Sequence, residues 1–528
     1  MNTVLAVATQ AQGAALTAAA VAAAAVLVLR EPRARAIAMI AALILAAAAM
    51  AALKAHTVSK GISDHPALVG AAALAGLGAL AAFVELIRRR PEAFALLTFA
   101  ALPFRVPVPV GGDNANLLLP LYGVIAAGAI AYAIRRWQAE ARSVTPPAGA
   151  SARALRRVEV ALAIVLVLYA VQSTYSSDIN QASVAVCFFY VPFAVLFRLL
   201  LDVRWSQRLL RQVFALVVGL ALLFAAVGFV EAATGRLLIS NSKVLAANEI
   251  KPYFRVNSLF FDPNIYGRFL ALTMIVLAAS LAALRRGREV GIVAAALAVL
   301  WAGMVLSLSQ SSFAALLVGL LVLAALRWRT VIVAGSVAVA LAIGLAVVFI
   351  APDQVGLHTG SLKGLDRSTS GRTDLIRGGA RMARDRPVWG FGSGSFADRF
   401  RKRERVRSEK SAAVSHTIPV TVAAEQGAIG LVAYLWLVLA AFMLVFGGLR
   451  RAVRAGPPRD AVARAAIAAA YAGLVLHTLV YAAFLEDPLS WALLALGASL
   501  RLASDRRGDG DEVPSADGSP HHPAVAIP

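Results

Sequence analysis

Long apolar runs alternate with short polar stretches along almost the whole chain. A helix needs about 20 predominantly apolar residues to cross the hydrocarbon core of a bilayer, so each run predicts a membrane-spanning helix. The pattern predicts about fifteen spans, near 6–29, 36–53, 67–87, 92–104, 117–134, 159–177, 182–202, 212–233, 264–284, 289–308, 312–326, 330–351, 418–449, 465–485 and 488–503. The fourth and eleventh runs are short, which leaves open whether they are tilted, re-entrant or merged with a neighbour.

Composition narrows the class of protein. Apolar residues make up 60% of the 528 positions and charged residues 15%, and the mean hydropathy is +0.74. Soluble domains carry about 25% charged residues, so a soluble enzyme, a disordered scaffold and a secreted disulfide framework are excluded. The single cysteine, Cys187, can form no intrachain disulfide. We expect an all-α, polytopic integral membrane protein of about 14–15 transmembrane helices with a large extracytoplasmic loop.

The distribution of positive charge predicts the orientation in the membrane. The chain has 51 basic and 29 acidic residues, a formal net charge of +22. One set of alternate loops holds 29 arginines, whereas the short loops on the other side hold seven basic residues. Cytoplasmic loops carry the excess of Lys and Arg, so the first set is predicted to be cytoplasmic, the N-terminus outside and the C-terminus inside.

This topology divides the chain into five regions. They are N-terminal transmembrane helices at 1–158, central helices at 159–351 with an outer loop at 236–263, an extracytoplasmic loop at 352–417, C-terminal helices at 418–503, and a disordered cytoplasmic tail at 504–528.

The loop at 352–417 departs from the charge rule, because it holds 14 basic and seven acidic residues on the predicted outer face. Arg377, Arg381 and Arg384 fall at positions i, i+4 and i+7, on one face of a helix that Pro387 would end. Three interpretations remain open: a solvated charged loop, attraction to anionic lipid headgroups, and a site for a phosphate-bearing substrate, which the guanidinium fork binds in bidentate fashion.

The outer loop at 236–263 ends in a second set of candidate residues. Arg255 precedes Asp262-Pro263-Asn264 at the mouth of a span, and Arg268 follows one helical turn inside. An arginine at membrane depth is expensive and is usually paired or functional. The alternative is that Arg268 snorkels to the outer interface.

Four stretches resemble motifs of the O-antigen ligase/polymerase family, over about 160–450. They are Phe254–Asn264, with its arginine, apolar pair and Asp-Pro-Asn; Leu306–Ser312; Gly371-Arg372 followed by Arg386–Phe396; and Ser415–Pro419 followed by Glu425–Leu431. Two positions depart from the family pattern, since Gln310 replaces the usual arginine and Thr417 the usual asparagine. The order, the spacing and the common outer placement of these motifs carry the resemblance.

The resemblance implies a GT-C-like glycosyltransferase of the bacterial cytoplasmic membrane. It would transfer a glycan from an undecaprenyl-pyrophosphate-linked donor to a hydroxyl of a glycan, lipid or protein acceptor on the outer face, with no metal, cofactor or nucleic-acid partner. His416 would be catalytic, with Arg372 and Arg255 as phosphate-contacting arginines. Further pyrophosphate contacts are expected from Arg377, Arg381 and Arg268, and support from Glu425, Asn264 and Asp262.

The residue types are consistent with that chemistry. Preorganised guanidinium groups can stabilise a departing diphosphate, and histidine is the natural general base for an acceptor hydroxyl. In an unbroken helix, Glu425 would lie roughly 13–14 Å from His416 on the opposite face, which favours a supporting role for the carboxylate. His477 is expected to make an interhelical hydrogen bond, and the Gly390–Gly394 run is not expected to bind ATP.

The alternative function is a transporter or flippase of lipid-linked oligosaccharide, which also needs cations near a pyrophosphate. A transporter should show internal repeats and charged or broken helices at the bilayer midplane. The chain shows no convincing repeat, and its ionisable residues gather at one face. Ligase and polymerase activities are not distinguished, because they share the donor and differ in the acceptor.

Overall fold

The computed structural model describes residues 2–53, 66–110, 113–138, 149–239, 244–245, 248, 254–328, 372–404, 417–454, 459–481 and 484–508. Within these ranges the α-helices are α1 (Asn2–Val28), α2 (Pro32–Leu53), α3 (Pro66–Arg89), α4 (Ala93–Ala101), α5 (Leu119–Gln138), α6 (Ala150–Ser173), α7 (Ile179–Val184), α8 (Val191–Leu201), α9 (Gln207–Thr234), α10 (Pro263–Leu281), α11 (Gly287–Ser307), α12 (Gln310–Arg327), α13 (Arg372–Asp385), α14 (Phe396–Glu404), α15 (Ile418–Phe446), α16 (Leu449–Arg454), α17 (Arg459–Val480) and α18 (Pro488–Gly508).

The fold is that of an all-α polytopic membrane protein, which confirms the predicted class. In the described part of the chain, ten helical stretches are long and apolar enough to cross a membrane. Three further predicted spans coincide with α5, α6 and α18, which are 20, 24 and 21 residues long. The short predicted span at 92–104 contains only the nine-residue α4, and the predicted span at 330–351 lies outside the described residues.

A short β-hairpin accompanies the helices, and nothing in the sequence pattern predicted it. Strands β1 (Val106–Val110) and β2 (Asp113–Leu117) pair antiparallel, with Val106 opposite Leu117. Prolines alternate with valines along β1, and a proline cannot donate a ladder hydrogen bond. A two-stranded hairpin tolerates this, because each strand has a free edge.

The span at 179–201 is continuous but not uniformly α-helical. A π-helical turn at Ala185–Tyr190 joins α7 to α8, and the Val191 N–H donates to the Val186 carbonyl five residues back. Pro192 follows directly, and its ring cannot fit against a regular preceding turn. The wider turn accommodates the proline. Turns of this kind are frequent at functional sites.

Helix α15 is interrupted at Gly427, where φ is +65°. The Ala428 N–H donates to the Pro387 carbonyl at 2.7 Å. A Cβ atom at Gly427 would lie 2.3 Å from the Val388 carbonyl oxygen, so only glycine fits this close approach of two backbones. The interruption lies two residues after Glu425, so the helix is unbroken from Ile418 to Gln426.

The described parts of the two sets of predicted loops lie at opposite ends of the helical bundle. At one end, arginines donate to carbonyls at helix C-termini: Arg464 to Gly447 at 2.9 Å, and Arg501 to Met443 at 2.7 Å. Cations are favourable at this end of a helix. The opposite end, which we call the site end, holds the start of α10, α12 and α15 and the end of α6, α11 and α17.

Candidate active site at the site end of the bundle

Arg255 is held in place by neutral groups. The side chain of Asn248 brackets its backbone with two hydrogen bonds, of 3.0 and 3.1 Å. The guanidinium donates from Nε to the Ser307 carbonyl at 3.0 Å and from Nη2 to Asn264 Oδ1 at 3.3 Å. The salt bridges of the described residues include no carboxylate on Arg255. Its positive charge is therefore fixed in direction and, within the described part of the chain, is not paired with a carboxylate.

The Asp-Pro-Asn motif is the N-terminal cap of α10. Asp262 accepts from the Asn264 N–H at 2.6 Å through one oxygen and from the Tyr481 hydroxyl at 2.7 Å through the other. Pro263 occupies the first helical position, where no N–H is needed. Asn264 Oδ1 also accepts from the Ser309 hydroxyl at 3.0 Å. Asp262 and Asn264 thus tie Arg255 to the neighbouring helices, a geometry consistent with a supporting role.

Glu231, at the end of α9, organises the same segment. Its carboxylate accepts from the backbone N–H groups of Leu238, Asn257 and Ser258, at 2.9, 3.0 and 2.7 Å, and the residue is fully buried. These bonds hold the segment that follows α9 against the end of that helix. One of the donors, Asn257, is two residues from Arg255. Glu231 was not among the predicted site residues, although a carboxylate at the end of an apolar run is a signal for such a residue.

Arg268 does not snorkel, so that alternative is wrong. It forms an ion pair with Asp487, and both side chains are 2% exposed. Burial lowers the pKa of the nearby Arg105 guanidinium, and the Asp487 carboxylate raises it in part. Arg105, Arg268 and Asp487 line a cavity of ≈ 10 Å³, which holds about one water molecule. The cavity as it stands is too small for a diphosphate.

Helix α13 begins at Arg372 and ends at Asp385, as the proline at position 387 predicted. Arg377 is half-buried on this helix. Arg381 is paired with Glu404 of α14 at 2.6 Å, so its charge is compensated within the loop. The side chain of Arg372 and the whole of His416 lie outside the described residues.

Two further arginines of this region gather around one aromatic ring. The guanidinium carbons of Arg386 and Arg399 lie 4.9 and 5.3 Å from the centre of the Phe391 ring. Cation–π contacts of this kind hold two positive charges close together. Arg386 belongs to the predicted motif at Arg386–Phe396 without having been assigned a role, and Arg399 was not predicted as a site residue.

The glycine-rich run docks on α15 instead of forming a phosphate loop. Glu425 accepts from the Gly394 and Phe396 N–H groups, both at 2.9 Å. At Gly390 and Gly392 φ is +69° and +95°, and a Cβ at Gly390 would lie 2.3 Å from the Glu425 carbonyl. The N–H groups that could bind a phosphate are therefore used by the protein, and Glu425 supports the loop.

The remaining polar contacts are interhelical. His477 of α17 is fully buried, and its Nε2 lies 3.1 Å from the Ser311 hydroxyl of α12. The expected interhelical hydrogen bond of His477 is confirmed. Within the described ranges, no group of three or more His, Cys, Asp or Glu residues could hold a metal ion.

The fold and the site define a polytopic helical membrane protein with oriented arginines at one end of its bundle. Comparison with family models shows that residues 292–435 match the family described as O-antigen ligase. This match confirms the resemblance to the O-antigen ligase/polymerase family and supports glycan ligation or polymerisation in general. The matched region runs from α11 into α15. No curated protein matches the chain.

Proposed function

We propose that the protein transfers or polymerises a cell-surface glycan, from an undecaprenyl-pyrophosphate-linked donor to an acceptor hydroxyl, without a metal. The reaction takes place on the outer face of the bacterial cytoplasmic membrane. The observation that carries this proposal is the arrangement of Arg255, whose hydrogen bonds go to two neutral oxygens. A guanidinium that is oriented but not neutralised suits an anionic group.

In the proposed reaction, the acceptor oxygen attacks the anomeric carbon of the donor sugar. A new C–O bond forms, the bond from that carbon to the pyrophosphate oxygen breaks, and the acceptor proton passes to His416. The electron pair of the broken bond leaves with the pyrophosphate. Fixed guanidinium groups stabilise that developing charge without reorganisation, which lowers the barrier.

The roles of the other site residues follow from their positions. Arg372 and Arg377 lie on α13, and both are proposed to contact the pyrophosphate together with Arg255 on the basis of their charge and of the family resemblance of the Gly371-Arg372 motif. Arg381 would first have to leave Glu404, and Arg268 would have to leave Asp487. We therefore assign these two arginines a weaker contribution to donor binding.

The test uses purified protein in liposomes with a pyrophosphoryl-linked glycan and no ATP. Attachment or lengthening of glycan is expected from the native chain. Arg255→Lys and Arg372→Lys should reduce transfer severely, because lysine cannot make the bidentate contact. Arg286→Lys is the matched control, since Arg286 is 84% exposed at the opposite end of α11.

Two results would contradict the proposal. Full transfer by the Arg255→Lys variant would remove the oriented guanidinium from the mechanism. Movement of the donor between leaflets without any new glycosidic bond would instead identify a flippase.

A further inference from the structure

A second cavity at the site end has a chemistry unlike that of the arginines. It measures ≈ 110 Å³ and lies between α6, the π-helical turn, α15 and the segment that follows α17. No lysine or arginine is among its lining residues, and its polar lining consists of Tyr169, Gln181, Tyr190, Thr421, Glu425, Gln426, Tyr434 and Glu486. We call it the acidic cavity.

The two carboxylates of the acidic cavity differ in what they already bind. Glu425 accepts two backbone N–H groups and is occupied. Glu486 is half-buried, and among the described residues it has neither a hydrogen-bond donor nor an ion-pair partner. A carboxylate removed from water needs a donor. Glu486 is therefore the group available to a ligand in this cavity.

The aromatic lining suits a ligand with both polar and apolar faces. The rings of Tyr169 and Tyr190 meet edge to face, with centres 4.8 Å apart, and both side chains are more than nine-tenths buried. Tyr190 lies at the end of the π-helical turn, so the wider turn presents it to the cavity. Ring surfaces combined with hydroxyl, amide and carboxylate groups match the alternating C–H and O–H groups of a sugar.

Charge separates this cavity from the arginines nearby. Glu486 lines the acidic cavity, and the next residue, Asp487, pairs with Arg268 on the other side. A diphosphate belongs with the guanidinium groups and would be repelled by an unpaired carboxylate. A neutral, hydroxyl-rich group is not repelled by the carboxylate and can donate hydrogen bonds to it. Two consecutive residues thus have different environments: Glu486 lines the acidic cavity, and Asp487 is neutralised by Arg268.

We infer that the acidic cavity binds the sugar ring of the acceptor, with Glu486 accepting hydrogen bonds from its hydroxyl groups. This inference rests on the proposed glycan transfer. It gives a binding place for the acceptor, which is the second substrate of that reaction. Ile418 and Thr421, in the first turn of α15, also line the cavity. Ile418 follows His416 by two residues, which brings an acceptor held there to the segment that carries the proposed base.

The binding test uses saturation-transfer NMR on the protein in nanodiscs, with methyl α-galactoside and methyl N-acetylglucosaminide as probes. We expect sugar signals from the native chain. They should be lost in Glu486→Gln and in Val422→Trp, which fills the cavity from α15. Glu289→Gln, an exposed acid at the far end of α11, is the matched control and should keep them. Absent signals in the native chain, or equal signals in all variants, would overturn the inference.

A kinetic test separates this inference from the proposed function. With limiting acceptor, Glu486→Gln should lower the transfer rate at least tenfold and leave the KM for the pyrophosphoryl-linked donor unchanged, because only the acceptor loses a charged hydrogen bond. Glu486→Asp should recover part of the rate. If the native chain makes no glycosidic bond, the proposed function is wrong. If the native chain makes the bond and Glu486→Gln has the same acceptor KM as the native chain, only the assignment of the acceptor to the acidic cavity is wrong.

Discussion

The buried ion pair of Arg268 and Asp487 allows a quantitative prediction. Both side chains are 2% exposed, and Nε and Nη1 of Arg268 have no hydrogen-bond partner within the described structure. The second arginine nearby, Arg105, also interacts with the same carboxylate. Replacing Asp487 by asparagine therefore leaves the buried Arg268 and the half-buried Arg105 facing a neutral amide.

The expected cost follows from the geometry of the pair. Removing one partner of a buried ion pair destabilises a protein by about 3–5 kcal/mol, because the remaining charge is uncompensated. Replacing both partners by apolar residues of similar volume is often neutral. Asp487→Asn should therefore lose about 3–5 kcal/mol of unfolding free energy. The double variant Arg268→Met with Asp487→Leu should recover part of it, because Arg105 and the Leu489 N–H still lose the Asp487 carboxylate.

The assay is unfolding in mixed micelles by increasing denaturing detergent. Glu289→Gln is the control, because its partner Arg286 lies 3.9 Å away and is 84% exposed; breaking an exposed pair costs about 0–1 kcal/mol. A loss for Asp487→Asn no larger than that of the control would refute the reasoning. Transfer by the stable double variant also measures how much Arg268 contributes to donor binding.

Three other predictions test separate parts of the molecule. His416→Ala should abolish transfer at normal expression, measured as glycan product in liposomes; full activity would remove His416 from the mechanism. Gly427→Ala should lower the thermal midpoint, because its Cβ would lie 2.3 Å from the Val388 carbonyl, whereas Gly219→Ala, with no atom within 4 Å of its Cβ, should not. Burial raises the pKa of Glu486, which means that the folded protein favours the protonated carboxyl. The stability that this gives is fully present below the ordinary carboxyl pKa and is lost as the pH rises through the raised pKa of the folded protein. Glu486→Gln should therefore match the native midpoint near about pH 4 and exceed it near about pH 8; a constant difference would contradict this.

The helices and the two ends of the bundle were predictable because their causes are local. An apolar run and its flanking arginines predict a span and its ends, and α13 ends where Pro387 requires it. The cap formed by Asp262 and Asn264 is equally local, since the two residues bond across two positions. The β-hairpin was missed because its five-residue strands carry no apolar run of membrane length.

The partners of the charged residues could not be predicted, because they are distant in sequence. Arg268 and Asp487 are separated by several spans, and Glu425 meets the backbone of Gly394 across 31 positions. No periodicity specifies which buried carboxylate meets which donor; the packing of the helices decides it. This explains why the sequence identified Arg268 and Glu425 as suspicious charges but could not distinguish a substrate contact from a structural bond.

The division of the site end into cationic and acidic parts follows from the same packing. Transfer needs a place for a leaving diphosphate and a place for a neutral hydroxyl, and one set of charges cannot favour both. In the proposed reaction, Arg255, held by Ser307 and Asn264, is assigned to the first, and the cavity lined by Glu486, Tyr169 and Tyr190 is assigned to the second. Because Glu486 and Asp487 are adjacent, a substitution at either position tests one half of the site, and the two variants should fail differently: Asp487→Asn in stability, Glu486→Gln in use of the acceptor.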